Sequence, residues 1–340
     1  MSDRKDDSAK ADEEYERLKQ SRFKQQKLPA WRPVPTITST TITFVSFGII
    51  FIILGIIILV YSHNIIEYKK IYSDVCTNDN IYTHDDYNKN KGNLSNLIYN
   101  CQINLTIDKK MEKPIMVYYQ INKFYQNHRR YVKSKNDDQL HGKDINEKVA
   151  KDDCKHAVKN KDLNINYNIN GGDLDQDSVA VPCGLIAKSF FRDSFELFYK
   201  KDGLNEEEKI TINEKDIAWE ADKKIKFNNS KNKSKQWINM KDEHFIVWMR
   251  PSGLPNFRKL WGRIKNQDLE PGNYTVKIKH FFDVSSFDGE KYFILSTVNG
   301  FGGKNKFLGI SYIVVGSISL ILSIVFLIGY KIHQNKEKNN

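Results

Sequence analysis

Two stretches of the chain hold no charged side chain: Ser39 to Tyr61, centred on FVSFGIIFIILGIIILV, and Phe307 to Tyr330, reading FLGISYIVVGSISLILSIVFLIGY. As helices rising ~1.5 Å per residue, both exceed a hydrocarbon core of ~30 Å, so the sequence predicts two transmembrane spans. A purely cytosolic enzyme is excluded, and so is a many-helix transporter built from this chain alone. The rest is polar enough to bring the mean hydropathy to −0.58, as in a soluble domain.

The flanks of the spans set an orientation. Lys19, Arg22, Lys24, Lys27 and Arg32 precede the first, and Lys331, Lys336 and Lys338 follow the second. The positive-inside tendency places both termini in the cytosol. The expected organisation is a cytosolic tail at 1–38, a first span at 39–61, an extracytoplasmic domain at 62–306, a second span at 307–330 and a cytosolic tail at 331–340. No apolar stretch precedes Ser39, so the first span reads as an uncleaved anchor. All four cysteines (Cys76, Cys101, Cys154, Cys183) fall in the outer segment, an even number in an oxidising compartment. So do the five glycosylation sequons, at Asn93, Asn104, Asn228, Asn232 and Asn273.

The formal charge of +11 divides as +2 in each tail and +7 outside, which puts most of it across the membrane from any nucleic acid. Before the first span runs FKQQKLPAWRPVP, where Pro29, Pro33 and Pro35 forbid a straight helix and Trp31 and Arg32 suit the headgroup layer. Inside the spans small residues recur every seven positions: Thr41, Gly48, Gly55 and Ser62, then Gly309, Gly316 and Ser323. Such stripes let backbones approach closely, so each span is expected to pack on another helix, of this chain or of a partner. The spans hold no Asp, Glu, Lys, Arg or His, which argues against an ion path through them.

The outer segment begins with an Asn- and Asp-rich stretch, Thr77 to Asn100, read as a surface insertion between Cys76 and Cys101. Strand patterns follow at 115–121, 208–212, 245–249, 274–280 and 291–297. In the fourth, Tyr274, Val276 and Ile278 alternate with Thr275, Lys277 and Lys279, predicting one buried and one wet face. The fourth and fifth are expected to form a hairpin through a loop containing Asp288 and Gly289. LPNFRKLWGRI reads as a short helix, with Leu254, Phe257, Trp261 and Ile264 along one stripe. Residues 185–198 are ambiguous between helix and strand. The expected fold is a membrane protein with two helices flanking a mainly-β domain, an antiparallel β-sandwich with helical insertions.

Motifs that carry chemistry are scarce. HExxH, GxSxG and CxxC are missing, and GFGGK at 300–304 lacks the spacing of a phosphate-binding loop, so no catalytic residue, metal ligand or cofactor is assigned. His128 shares a helical stripe with Phe124, Tyr131 and Val132 and reads as a packed or hydrogen-bonded side chain. Arg129 and Arg130, with Lys133 and Lys135, form either a solvated basic edge or a carboxylate-binding surface. Four cysteines allow three connectivities. Sequential pairing, Cys76 with Cys101 and Cys154 with Cys183, is expected because each bridge then fastens an insertion to nearby scaffold, at roughly 3 to 4 kcal/mol each on the chain-entropy account.

Six segments in order, FKQQKLPAWRP, FYQNHRRYVKSKNDDQLHG, PCGLIAKSFFRDSFEL, DIAWEADKKIKF, FIVWMRPSGLPNFRKLWGRI and GGKNKFLGISYIVVGSIS, resemble the Cdc50/Lem3 family, the two-span accessory β-subunits of P4-type ATPases, the phospholipid flippases. The resemblance implies a glycosylated, disulfide-bonded outer domain of antiparallel β type over the catalytic subunit's outer loops. It also implies a role in carrying the ATPase out of the endoplasmic reticulum and keeping it competent to move phospholipid toward the cytosolic leaflet. Residence in the endoplasmic reticulum, Golgi and endosomes, and plasma membrane goes with that role. Many relatives carry extra cysteines in the first half, whereas Cys76 and Cys101 are the only pair there in this chain.

On this reading the chain is a non-enzymatic partner, one to one, of a much larger ATPase whose folded state it stabilises by binding. Contact candidates are Phe23, Pro29, Trp31 and Arg32 before the first span; Gly48 and Gly55, with Gly309, Gly316 and Ser323, in the stripes; Trp248, Arg250, Leu254 and Pro255; and Gly302, Gly303, Lys304 and Asn305. The rival class is a two-span, trimeric ligand-gated channel, which shares the topology.

Overall fold

The computed structural model describes residues 15–27, 36–76, 81–200 and 207–339. Two long helices, Ile37–His63 and Lys306–Asn339, are long and apolar enough to cross a bilayer, and the chain is an integral membrane protein. The first outruns the stretch 39–61 by two residues at each end, and the second outruns 307–330 by one residue before it and nine after. The chain divides into two units, one built on the two helices and the other comprising residues 57–308.

Thr41, Gly48, Gly55 and Ser62 of the first helix and Gly309, Gly316 and Ser323 of the second are buried, while the remaining residues of the two helices whose side chains are described are exposed or half-exposed. The seven-residue repeat is the signature of a left-handed seam. A Cβ on Gly48 would come within 2.7 Å of Leu320 and 3.0 Å of the Gly316 carbonyl, and one on Gly55 within 2.9 Å of the Gly309 carbonyl. The two stripes therefore approach each other within the chain's own helix pair. Of the two possibilities the sequence leaves open for the stripes, the other span or a partner's helix, Gly48, Gly55, Gly309, Gly316 and Ser323 are buried in this chain.

The second unit is a sandwich of two four-stranded antiparallel sheets. One runs in the order β1 (Glu67–Ile71), β8 (Glu290–Ser296), β3 (Ile115–Asn122), β6 (Phe257–Ile264). The other runs β2 (Cys101–Ile107), β7 (Gly272–Lys279), β4 (Ser194–Lys200), β5 (Glu207–Ile210). Strand β3 shows why these residues make a sheet: Ile115, Val117, Tyr119 and Ile121 all point to the core with period two. The sheets meet through aromatic rings, with Phe195 of β4 5.2 Å from both Trp261 of β6 and Phe293 of β8. Short helices fill the insertions β3–β4 and β5–β6, many of them capped by Asn or Asp side chains such as Asn136, Asn146 and Asp242.

Three local expectations are corrected. LPNFRKLWGRI is strand β6, not a helix. Opposite β3 the register slips between Val117 and Tyr118, so Trp261 is an extra, bulged residue. The bulge resets the alternation and spaces Phe257, Trp261 and Ile264 by four and three, which imitates a helical stripe. FIVWM is not a strand: it forms most of the helix Glu243–Trp248, whose first turn is closed by Asp242 accepting from the His244 amide at 2.9 Å. Strands β7 and β8 are not a hairpin; they lie in different sheets, and residues 280–289 cross between the two. The ambiguous stretch resolves as a helical turn, Leu185–Lys188, followed by β4.

The outer face of β7 is not wet throughout. Thr275 and Lys279 are buried, with the Lys279 ammonium bonded to the Leu94 carbonyl and lying 5.0 Å over the Tyr99 ring. The segment after Cys76 therefore covers the sheet, and Asn88 within it is fully buried, donating to the Tyr167 and Trp237 carbonyls. The cysteines pair sequentially, Cys76 with Cys101 and Cys154 with Cys183, at Cα separations of 5.4 and 5.7 Å.

At the centre, Asp193, the residue before β4, is 2% exposed and ties together four strands' ends. Its carboxylate accepts from Lys291 Nζ of β8 at 2.8 Å, the Tyr72 hydroxyl after β1 at 2.8 Å, and the Phe281 and Phe282 amides after β7 at 2.7 Å each. Its backbone carbonyl accepts from Trp261 Nε1 of β6. Burial pushes the Asp193 carboxyl up, but the Lys291 charge and the amides outweigh it and hold the group below the usual carboxylate range. Lys291→Met leaves that charge buried without its cation and is expected to cost about 3 to 5 kcal/mol in urea unfolding; a loss below about 1 kcal/mol would show the pair to be dispensable. In the helical unit, Gly316→Leu forces its side chain against the Gly48 carbonyl and Ile52, both of which would lie 2.8 Å from a Cβ at that position. Spin labels on the outer sides of the two helices should then move apart in pulsed EPR, and an unchanged distance would remove the close seam.

Candidate partner-docking site

The loop between the helix Glu243–Trp248 and β6 carries three of the residues singled out in the sequence. It is fastened to the end of β3: the Ser252 amide donates to Gln126 Oε1, Asn127 Nδ2 to the Gly253 carbonyl, and the Phe124 amide to the Pro255 carbonyl. Pro255 is half-buried in that attachment, whereas Leu254 at the tip is 70% exposed. A large aliphatic side chain held out on a tethered loop is a preorganised contact.

Arg250 stands at the start of the loop. Its Nε bonds Asp222 Oδ2 at 2.5 Å, and its guanidinium lies 5.2 Å from the exposed Trp219 ring. Asp222 opens a π-helical turn, Asp222–Lys226, and is itself buried; the Arg250 hydrogen bond holds its carboxyl below the usual range against the opposing pull of burial. This pair separates two grooves. One, of about 590 Å³, is lined by Trp219, Ile246 and Arg263; the other, of about 670 Å³, by Ile225, His141 and Pro251. Trp219 and Ile225, at 68% and 67% exposure, flank the pair as apolar surface that the sequence pattern does not single out. The signal is present in DIAWEADKKIKF, but an isolated apolar residue among charges reads as neutral when its partners in space are unknown.

Trp248 is fully buried, donates Nε1–H to the Ile186 carbonyl at 2.9 Å, and packs among Phe124, Phe191 and Phe282, so it supports the loop from beneath. Beneath the first groove, Lys259 of β6 is 7% exposed and gives all three ammonium protons to the Val247, Trp248 and Arg250 carbonyls, closing the C-terminus of the helix Glu243–Trp248.

Elsewhere, Asn305 accepts from the Phe307 amide at the start of the second long helix, and its own amide donates to Ser62 Oγ at 3.0 Å. Gly302 sits at φ +101°, in the left-handed region, and closes a bridge with Asn299. Gly303 is half-exposed and Lys304 exposed. Phe23 is 75% exposed. Pro29, Trp31 and Arg32 lie outside the described residues. Of the sequon asparagines, Asn93, Asn104, Asn232 and Asn273 are exposed and Asn228 is half-buried. His128 is exposed and caps the helix Arg129–Lys133 by accepting from the Arg130 amide, so it is a hydrogen-bonded side chain outside the core. Among the described residues no group of three or more His, Cys, Asp or Glu could hold a metal ion.

Burial pushes the Lys259 ammonium down to about 7 from an ordinary 10.5. Between those values the unfolded chain binds more protons than the folded one, so this residue makes stability rise with pH across that window. Lys259→Met is expected to flatten the rise in urea midpoints between neutral and alkaline pH; an unaltered slope would show that the three carbonyls keep the ammonium at its ordinary pKa.

The sequence profile of the LEM3 (ligand-effect modulator 3)/CDC50 family matches residues 58–336. The chain is similar to "ALA-interacting subunit 3" of Arabidopsis thaliana, 37% identical over 345 residues that cover 95% of this chain and 89% of the relative. It is 37% identical to "Cell cycle control protein 50A" of Bos taurus over 339 residues, covering 90% and 87%, and 29% identical to "Cell cycle control protein 50B" of Homo sapiens over 363 residues, covering 94% and 95%. Two helices long and apolar enough to cross a bilayer, a disulfide-bonded β-sandwich that lies between them in sequence and a match over most of the length agree: the chain belongs to the LEM3/CDC50 family.

Proposed function

We propose that this chain is the accessory β-subunit of a P4-type ATPase, a phospholipid flippase, and that it supports folding, exit from the endoplasmic reticulum and activity of the catalytic subunit. The observation that carries this reading is full-length similarity to relatives whose names describe ALA-interacting subunits. The family assignment speaks against the two-span channel. ATP hydrolysis and the lipid path belong to the partner in this scheme, and the chain acts through binding alone.

Topology follows from the same reading. Both termini are cytosolic, as the basic flanks favour, and residues 62–306 lie outside, where the two disulfides and the sequon asparagines are chemically at home. The complex moves through the endoplasmic reticulum, Golgi and endosomes to the plasma membrane. Docking involves Leu254, Arg250 and Pro255 of the tethered loop and Gly302 to Asn305 at the start of the second helix, with Phe23, Pro29, Trp31 and Arg32 on the cytosolic side. In the bilayer the outward surfaces of the helix pair, rich in exposed Ile, Val and Phe, face the partner and the lipid.

Affinity capture from native membranes is expected to bring down one much larger ATPase per chain. Leu254→Asp should reduce that recovery several-fold while urea unfolding of the β-domain is unchanged, because the side chain is exposed. Undiminished recovery would remove the loop tip from the interface, and isolation of the chain as a stable homotrimer from the same membranes would refute the assignment.

A further inference from the structure

Four cations converge on one cleft of the β-domain without a carboxylate of their own. Arg129, Arg130 and Lys133 come from the short helix Arg129–Lys133, and Lys155 follows the helix Glu147–Asp153. They line a concavity of about 610 Å³. Among the described residues none of the four forms an ion pair, although lysines nearby in sequence do: Lys135 meets Asp137 at 2.6 Å, Lys143 meets Asp138 at 2.9 Å and Lys151 meets Glu147 at 2.8 Å. Carboxylates are thus plentiful in this stretch, and Asp152 and Asp153 line the same cleft, yet among the described residues none comes within ion-pair distance of these four side chains.

The two walls are locked to each other. Ser134, 2% exposed, donates Oγ–H to the Lys155 carbonyl at 3.0 Å and accepts from the Leu185 amide at 2.9 Å. Asn136 Nδ2 donates to Asp153 Oδ2 at 2.8 Å, and the Cys154–Cys183 bridge anchors the second wall beneath. Gly184, next to Cys183, sits at φ +106°, where a Cβ would lie 2.2 Å from the Ser134 carbonyl, so the segment carrying the bridge also packs against the first wall too closely for any side chain there. Charges fixed on a rigid frame need little reorganisation to receive a ligand.

Two planar guanidinium forks beside two ammonium groups match a compact anion with several terminal oxygens. The volume is that of a small-molecule site, not of a flat protein contact. Asp152 and Asp153 on the same lining would repel a broad acidic protein face, whereas a single oxyanion can sit against the arginines. We propose that this cleft binds a phosphate group, supplied as free phosphate or as the phosphomonoester headgroup of an anionic lipid.

Thermal unfolding of the full-length protein in mild detergent tests this, with inorganic phosphate compared against chloride at equal ionic strength and short-chain phosphatidic acid in mixed micelles as the second probe. The reference is Arg129→Ala/Arg130→Ala, whose own melting temperature should be unchanged because both side chains are exposed. Stabilisation by salt exclusion occurs equally in both proteins and cancels. A phosphate shift that weakens about tenfold or more in apparent affinity in the double variant supports free phosphate as the ligand. No phosphate shift, but a variant-sensitive response to phosphatidic acid, supports the lipid headgroup. Equal responses of the two proteins to both probes overturn the proposal, as does a variant-sensitive response confined to an acidic peptide.

Discussion

A buried carboxylate is costly unless every oxygen lone pair is used, and in this β-domain the Asp193 carboxylate is the point at which the two sheets are registered to each other. Four donors from three elements reach it: an ammonium from one sheet, a phenol hydroxyl after that sheet's edge strand, and two amides after the central strand of the other. Apolar packing between Phe195, Trp261 and Phe293 supplies most of the attraction between the layers, but it is tolerant of sliding. The hydrogen bonds are not. Moving one layer along the other would strand a charge in a dry interior, so the node selects one arrangement from the many that apolar burial alone would accept.

That selection explains the loop that carries Arg250 and Leu254. Its position follows from the helix Glu243–Trp248 beneath, and that helix is held by Trp248 in the core and by Lys259 of β6 at its carbonyl end. Strand β6 in turn is fixed by the Trp261 indole reaching the Asp193 carbonyl. A single chain of contacts therefore runs from the centre of the sandwich to an exposed leucine, and the surface residue inherits the rigidity of the interior.

Much of this is legible in the sequence, because the signals are local and periodic. The seven-residue spacing of small residues names every buried position of the described helix pair, and the order of the cysteines matches their pairing. Strand β3 announces itself by alternation. Elsewhere a long-range contact overrides the local pattern: the bulge at Trp261 disguises a strand as a helix, and the Asp242 cap turns an apolar run into a helix. Strands β1 and β2 escape notice because exposed polar residues interrupt them, Lys69 and Lys70 in the first and Asn104 in the second. Asp193, Lys259 and the exposed pair Trp219 and Ile225 gain their meaning only from neighbours distant in sequence, which no periodicity encodes. The helical stripes show the opposite limit, since they specify close approach without specifying to whom.

The answer given by the structure, that the two helices choose each other, alters what assembly in a bilayer would involve. A protein whose anchors wander independently must immobilise both when it meets a companion, losing orientational freedom twice. Here the glycine seam between the helices is already closed, so the two present themselves to a companion as one double rod and that loss within the pair is not incurred again.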